Sequence, residues 1–331
     1  MQSIPLTPAP VAVPYAPRRT LALLVGIASI AALIIGGAFM PRWLVFLLTM
    51  AASHGLVSLG IVLLMRGGVV SFGQGLVFSV GGYAAALTFN KLGITDALGL
   101  ALMGGVAALV VAAPFAPLLA RYRGIFFAML TLALSMVCYG ALVKTNALGG
   151  SDGFNMGRPT LFGQTLADER VAYVLYGVTI AVAGIFALMA HVYFHSTRGL
   201  VTLAVRENEL RVEYLGGSVK QAMGINYLLA AFAGGVGGAL TVMSLGHIDP
   251  NFSFWTTSGE FVFVAILAGW QSVLAVFIAS TLLEVVRSFS SLYFPNTWQL
   301  SLGLFLLVMI RFLPRGIGSL WVDRSAKGDR S

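Results

Sequence analysis

Apolar runs of about 20 residues recur along the whole chain, and no other feature constrains the fold as strongly. A helix needs about 20 residues to cross a hydrocarbon core of about 30 Å. The composition agrees, because 58% of the 331 residues are hydrophobic and only 10% are charged, whereas soluble domains carry about 25% charged residues. We therefore predict an all-α polytopic membrane protein. A soluble enzyme, a collagen-like chain and a disulfide scaffold are excluded, the last because Cys138 is the single cysteine.

About ten crossings are predicted, some of them interrupted. The stretch 252–287 is too long for one crossing, so we divide it at 268–272, where Gly269 breaks the apolar run. The glycine-rich segment 69–89 either crosses fully or re-enters from one side. The predicted spans are 21–40, 43–65, 69–89, 97–120, 125–143, 171–194, 223–246, 252–268, 272–287 and 298–313.

The positions of the basic residues predict the orientation. Cytoplasmic loops carry an excess of Lys and Arg, and with the N-terminus inside, 14 of the 20 basic residues fall in inner segments and six in outer ones. The net charge of +8 is therefore a topology signal and not a nucleic-acid surface. We predict a disordered cytoplasmic tail over 1–17, a transmembrane domain over 18–318 and a cytoplasmic tail over 319–331.

Glycines cluster in two of the predicted spans. Small residues let helices approach closely in lipid, where no hydrophobic force drives helix association. The favoured interpretation is tight helix packing, and the alternative is an interrupted helix whose backbone lines a pathway. The clustered residues are Gly73, Gly75, Gly81 and Gly82, and Gly234, Gly235, Gly237 and Gly238.

The chain shows no energy source of its own. No lysine follows a glycine, so the GxxxxGK[ST] phosphate loop is absent from the sequence. Ionisable residues inside the spans are few: His54, Glu260, Glu284 and Arg287. Glu284 is either a proton-coupling site or, as favoured, a carboxylate near the end of its helix that pairs with Arg287 at i+3.

No metal or catalytic centre is predicted. His191 and His195 have the i, i+4 spacing of a metal pair, but no third ligand is near them in the sequence. We favour an interfacial role for both. A membrane-embedded enzyme is disfavoured, because neither a histidine–carboxylate metal set nor a nucleophile elbow is present.

The segment 195–222 is the one long charged loop, and it is predicted to be cytoplasmic. Apolar and charged residues mix between Leu200 and Leu215, which predicts a short amphipathic helix that ends at Gly216 and Gly217. Such a helix lies on the lipid surface or, in the sharper interpretation, docks on a partner through its charges of both signs.

Five blocks resemble, in order and spacing, the permeases of branched-chain amino-acid ABC transporters, the LivM-like subunits. Over about 43–318 they are Ser71–Gly75 with Gly81–Tyr83, Arg123–Leu132, Gly149–Gly153, Arg206–Glu209 with Tyr214–Gly216, and Phe312–Gly316. One departure is the turn 268–274, which reads AGWQSVL where the family commonly has a glycine-rich run; we expect this turn to shape the permeation path.

The resemblance implies a non-catalytic subunit of a binding-protein-dependent importer in a bacterial inner membrane. A homologous second permease subunit, two cytoplasmic ATPases that use ATP and Mg²⁺, and a periplasmic binding protein would complete it. The expected solute is a branched-chain or related amino acid; urea, short amides and aromatic carboxylates are alternatives within the family, and a proton-coupled carrier is an alternative outside it.

Two sets of site residues follow. The ATPase-coupling set is Arg206, Glu207, Asn208, Glu209, Glu213, Leu215 and Gly216. The pathway set, chosen because each residue is polar in or beside an apolar run, is Gln74, Tyr83, Asn146 and Glu260.

Overall fold

The structure, a computed structural model, describes residues 17–161, 168–293, 295, 297–314 and 316–319. Apart from Pro17 and Ser319, the two predicted tails lie outside these residues. Most of the described chain is helical, as predicted. Its helices are α1 (Pro17–Gly37), α2 (Arg42–Met65), α3 (Gln74–Leu92), α4 (Ala97–Ala112), α5 (Ala116–Leu119), α6 (Gly124–Lys144), α7 (Asp168–Phe194), α8 (Thr197–Glu207), α9 (Glu209–Tyr214), α10 (Val219–Leu245), α11 (Trp255–Ala268), α12 (Val273–Tyr293) and α13 (Trp298–Phe312). Two short strands, β1 (Phe154–Asn155) and β2 (His247–Ile248), pair antiparallel.

Several helices are suited to a lipid environment. Five of them, α2, α6, α7, α10 and α12, are long and apolar enough to cross a membrane, and α1, α4, α11 and α13 contain shorter apolar stretches. The protein is therefore a multi-pass helical membrane protein. The number of ten crossings stays a prediction.

The connecting segments gather at two ends of the bundle, which we name the outer and inner ends after their predicted sides. At the outer end β1 pairs with β2, and Asp96 forms a bridge with Thr160. At the inner end the Arg66 guanidinium donates to the carbonyl oxygens of Phe194 and Trp270, at 3.4 and 3.3 Å. The connections that meet at each end are those that the predicted topology places on the same side of the membrane, so these contacts agree with the predicted alternation of inner and outer connections.

Helices α2 and α10 form the centre of the bundle, and both are buried over most of their length. Glycine makes this packing possible. A Cβ atom at Gly237 would lie 2.8 Å from the Ser53 carbonyl oxygen of α2, and one at Gly104 would lie 2.9 Å from the Gly81 carbonyl oxygen of α3. Close packing therefore explains the glycines of α10 and the middle of α3.

The predicted span 69–89 begins later than expected. Residues 66–73 are not helical, and α3 starts at Gln74. The Phe72 amide donates to Thr131 Oγ1 at 3.1 Å, seven residues into α6 and thus about 10 Å from its inner end. The segment 66–73 therefore enters the bundle from the inner end, and α3 continues to the outer end, where Asn90 Nδ2 donates to the Asn155 carbonyl oxygen of β1 at 2.9 Å. The stretch thus runs from one end of the bundle to the other, and the structure does not support the re-entrant alternative.

A second segment without α-helix, 246–254, enters from the outer end; it contains β2 and a short 3₁₀ helix, Pro250–Ser253. Ser135 and Ser253 each donate a hydroxyl hydrogen bond to the other's carbonyl oxygen, at 2.8 and 3.0 Å. The helices that follow these segments meet where the Gly75 amide of α3 donates to Ser258 Oγ of α11 at 2.9 Å. Side-chain hydroxyls thus satisfy backbone groups that water cannot reach in lipid.

Two predicted boundaries can be compared directly. The stretch 252–287 divides as predicted: α11 ends at Ala268, Gly269 has a φ of 75°, and α12 begins at Val273. The predicted span 97–120 is wrong as one helix, because α4 ends at Ala112 and α5 begins at Ala116. Pro114 lies between them, and proline lacks the N–H that would continue a helix.

Candidate functional site

A cavity of about 370 Å³ lies among α2, α3, α10, α11 and α12, within the size range of small-ligand sites. It extends from the segment after β2 to His54, near the middle of α2. Six of its lining residues are apolar and eight are polar. The apolar residues are Phe46, Met50, Phe78, Leu245, Phe252 and Phe261, and the polar ones are His54, Thr241, Asp249, Asn251, Thr257, Glu260, Glu284 and Arg287.

Two pairs of ionisable side chains cross between helices in this cavity. His54 Nδ1 of α2 lies 3.3 Å from Glu284 Oε2 of α12, and Arg287 Nη1 of α12 donates to Glu260 Oε2 of α11 at 3.0 Å. All but Arg287 have side chains less than one fifth exposed. The pairs therefore tie three helices together at a depth where an unpaired charge is costly.

The predicted partner and position of Glu284 are wrong. Glu284 pairs with His54 of another helix and not with Arg287 three residues later, which instead holds Glu260. Glu284 is also the twelfth of 21 residues in α12, so it lies near the middle of the helix and not near its end. The i+3 spacing permits a pair on an isolated helix, but the neighbouring helices offer better-placed partners.

Acidic side chains outnumber basic ones among the residues that line the cavity. Asp249, Glu260 and Glu284 face only the Arg287 guanidinium and the His54 imidazole. A cleft with low-dielectric walls concentrates the field of the charges that line it. The acidic side chains therefore dominate the electrostatic field in the cavity.

Aromatic rings form a further part of the cavity wall, beside His54. The ring of Phe78 stacks on Phe252 at 5.1 Å between centroids and meets Phe261 edge-on at 4.9 Å, and the His54 ring lies 5.5 Å from Phe261. The His54 side chain thus contacts the Phe261 ring as well as the Glu284 carboxylate. The signal missed in the sequence is the set of phenylalanines on α3, on α11 and in the segment 246–254.

Of the four predicted pathway residues, only Glu260 lines the cavity. Gln74 and Tyr83 are almost fully buried between helices, and within the described chain neither Gln74 Oε1 nor the Tyr83 hydroxyl has a hydrogen-bond partner. Asn146 is exposed at the outer end, in a short 3₁₀ turn after α6. These three residues are not brought together with Glu260.

The segment 195–222 forms two helices at the inner end, and the prediction of one helix is wrong. Asn208 breaks the segment: its backbone is extended, and its Oδ1 accepts a hydrogen bond from the Arg211 amide at 3.0 Å, which caps α9. The end of α9 agrees with the sequence, since Gly216 follows with a φ of 82°.

One face of this helix pair packs on the bundle, and the other is exposed. Val205 and Val212 are buried, whereas Tyr214 and Leu215 are 87% and 88% exposed. We call the seven predicted coupling residues 206–209, 213, 215 and 216 the coupling surface. All of them are exposed except Glu209, which is half-buried and accepts a 2.6 Å hydrogen bond from Arg123 Nε.

The histidine pair contacts itself. His191 and His195 have ring centroids 4.6 Å apart, and His195 Nδ1 lies 2.8 Å from the His191 carbonyl oxygen. In the described ranges, no three His, Cys, Asp or Glu side chains lie close enough together to hold a metal ion.

Fold and site together define a multi-pass helical membrane protein with a polar cavity in its bundle and a charged helix pair at one end. A family profile described as the permease component of branched-chain amino acid transport systems matches residues 43–313. The chain belongs to this family, and it is therefore a transport permease of the ABC type. Searches among curated proteins and among solved structures find no match.

Proposed function

We propose that this chain is one of the permease subunits of an ABC importer in a bacterial inner membrane, with both termini cytoplasmic. A homologous second permease subunit would complete the pathway, a periplasmic binding protein would deliver the solute, and two ATPases with ATP and Mg²⁺ would act at the coupling surface. The observation that carries the proposal is the exposed, charged coupling surface on α8 and α9, held on the bundle by the buried Val205 and Val212.

Docking at the coupling surface can be tested by co-purification of the ATPases. Leu215→Asp places a charge at an 88% exposed apolar position, and we expect the ATPases to be lost from the purified complex. Leu92→Asp is the matched control, because Leu92 is 67% exposed at the outer end, where α3 ends. Equal ATPase recovery with both variants would contradict the proposed docking.

The proposed solute is a small amino acid with an aliphatic side chain. The Arg287 guanidinium suits a carboxylate, the excess of carboxylates suits an ammonium group, and the phenylalanine wall suits a hydrocarbon chain. The excess of carboxylates disfavours aromatic carboxylates, and an uncharged amide or urea would gain no ionic contact from these groups.

Competition against ATP-dependent leucine uptake tests the solute class. In proteoliposomes that hold the whole transporter and its binding protein, we expect isoleucine and valine to compete. Isocaproate, which is leucine without its amino group, benzoate and urea should not. Competition by isocaproate equal to that by isoleucine would contradict the charge argument. Uphill uptake by the purified chain alone, driven by a pH gradient, would instead establish the proton-coupled carrier.

A further inference from the structure

The loop 269–272 joins the two helices that carry most of the charged groups of the cavity. Glu260 lies on α11, before the loop, and Glu284 and Arg287 lie on α12, after it. The loop turns at the inner end, where Gly269 has a φ of 75° and a ψ of 168°, a conformation that is essentially restricted to glycine. Any displacement of this loop therefore moves the inner ends of both cavity helices.

Trp270 connects this loop to the coupling surface. The guanidinium carbon of Arg206, in the last turn of α8, lies 4.4 Å from the centroid of the Trp270 ring. This is the geometry of a cation–π contact, for which tryptophan is the best partner. Arg206 thus reaches from the exposed helix pair to the turn between α11 and α12.

A second arginine holds the backbone of the same residue. Arg66, which follows α2, donates to the Trp270 carbonyl oxygen at 3.3 Å. Its guanidinium carbon also lies 4.0 Å from the ring centroid of Phe194, the last residue of α7. Trp270 is therefore bound from two sides, by α8 through its ring and by the end of α2 through its carbonyl.

The loop is further joined to the chain after α13. The Ile317 and Gly318 amides donate to the carbonyl oxygens of Leu267 and Ala268, both at 2.9 Å. A Cβ atom at Gly316 would lie 2.7 Å from the Gly269 amide nitrogen, so the two segments are in close contact. The end of α11 is thereby fixed to the segment after α13. A displacement of Trp270 is therefore passed to α11 and is not absorbed by a flexible loop.

We propose that Trp270 is a positioning residue that transmits movement of α8 to α11 and α12, and so to the cavity. The inference rests on the proposed function, because the movement of α8 would come from ATPases docked on the coupling surface. When α8 shifts, the Arg206–Trp270 contact carries the shift into the loop, and the separation of Glu260 from Glu284 and Arg287 changes. The contact links the coupling surface to the cavity, because Arg206 belongs to α8 and Trp270 to the loop between the two cavity helices; coupling requires that the two sites favour the same arrangement of these elements.

The test uses the complete transporter in proteoliposomes and measures ATP hydrolysis and solute uptake on the same preparation. With Trp270→Ala, we expect the ATPases to co-purify and to hydrolyse ATP, while uptake per ATP hydrolysed falls by about two- to fivefold, the range that corresponds to loss of one exposed cation–π contact. Trp270→Phe keeps an aromatic face and should restore most of the ratio. Leu118→Ala, which truncates a 41% exposed side chain on α5 at the same end of the bundle, is the control and should leave the ratio unchanged.

A double-variant comparison distinguishes coupling from simple loss of structure. If Arg206 acts through Trp270, then Arg206→Gln combined with Trp270→Ala lowers the ratio no further than Arg206→Gln alone. A merely structural role would lower the thermal midpoint, ATP hydrolysis and uptake in parallel. An unchanged ratio for Trp270→Ala, a parallel loss of all three, or additive effects of the two changes would overturn the inference. Absence of ATP-dependent uptake in the wild-type complex would instead overturn the proposed function.

Discussion

Gly104 of α4 offers a quantitative test of the packing at the centre of the bundle. Replacing it with alanine places a Cβ atom 2.7 Å from Ala239 Cβ, 2.9 Å from the Gly81 carbonyl oxygen and 3.0 Å from the Gly235 carbonyl oxygen. Ordinary contacts begin at 3.4 Å, so the three neighbours must give by 0.4–0.7 Å. Two of them are backbone atoms of α3 and α10, which cannot rotate away.

The expected cost follows from two opposing terms. Overpacking in a close-packed interior costs about 1–3 kcal/mol, while alanine in a helix gains up to about 1 kcal/mol over glycine. Gly303→Ala in α13 is the matched control, because a Cβ atom there meets no atom within 4 Å. Only the helical gain applies to Gly303, so the two variants should differ by about 1–3 kcal/mol in stability.

Thermal unfolding in one detergent, at one scan rate, measures this difference. One kcal/mol corresponds to about 2–4 °C in domains of 150–250 residues, so the midpoint of Gly104→Ala should lie several degrees below that of Gly303→Ala. Gly104→Val, with its larger side chain, should lower it further. Equal midpoints for the two alanine variants would refute the argument that backbone contact through glycine holds α3, α4 and α10 together.

Three further predictions concern the two functional regions. Gly216→Val forces a β-branched residue to a φ of 82°, at a conformational cost of about 1–2 kcal/mol. The cost falls on the exposed end of α9, so uptake should fall while the thermal midpoint of the helix bundle barely changes. Arg287→Leu leaves the Glu260 carboxylate without its partner, so both the thermal midpoint and uptake should fall; Arg287→Leu with Glu260→Gln should recover the midpoint but not uptake, and recovery of both would contradict a role in solute binding. Arg123→Ala removes the 2.6 Å hydrogen bond to Glu209, which is partly exposed and contributes about 0–1 kcal/mol. Limited proteolysis should then cut near α9 faster than in the wild type with no change in midpoint, and unchanged cutting would show that the bond does not hold α9.

Helix positions were largely predictable, because the length of an apolar run is a direct property of the sequence. The division at Gly269 was predicted for the same reason, and the left-handed φ of Gly269 explains why the helix stops there. The late start of α3 was not predicted. It depends on Thr131 and Ser258, hydroxyls from other helices that make a non-helical backbone tolerable within the bundle.

The break at Asn208 left a readable signal. Asparagine is a strong N-cap, and here its side chain caps the Arg211 amide three residues on. The apolar pattern alone predicts one amphipathic helix, whereas the capping position at Asn208 marks the start of a second one.

For the cavity, the sequence identified the rare charged residues but not their partners. Glu260 was placed correctly in the polar site, whereas the pair of Glu284 with His54 spans 230 positions in the chain. Pairing across helices depends on the rotation of each helix about its axis, which an apolar run does not encode. The same reason explains why Gln74 and Tyr83, polar residues in apolar runs, face neighbouring helices and do not line the cavity.

The serine and threonine hydroxyls that hold the segments 66–73 and 246–254 make the middle of the bundle easier to deform than its long helices. A helix resists bending because its hydrogen bonds break cooperatively, but the bonds from Thr131, Ser135 and Ser258 are separate, and each contributes only about 1 kcal/mol. They can open one at a time without unwinding α2 or α10. Deformation of this protein should therefore concentrate in these two segments, next to the cavity, while α2 and α10 keep their shape.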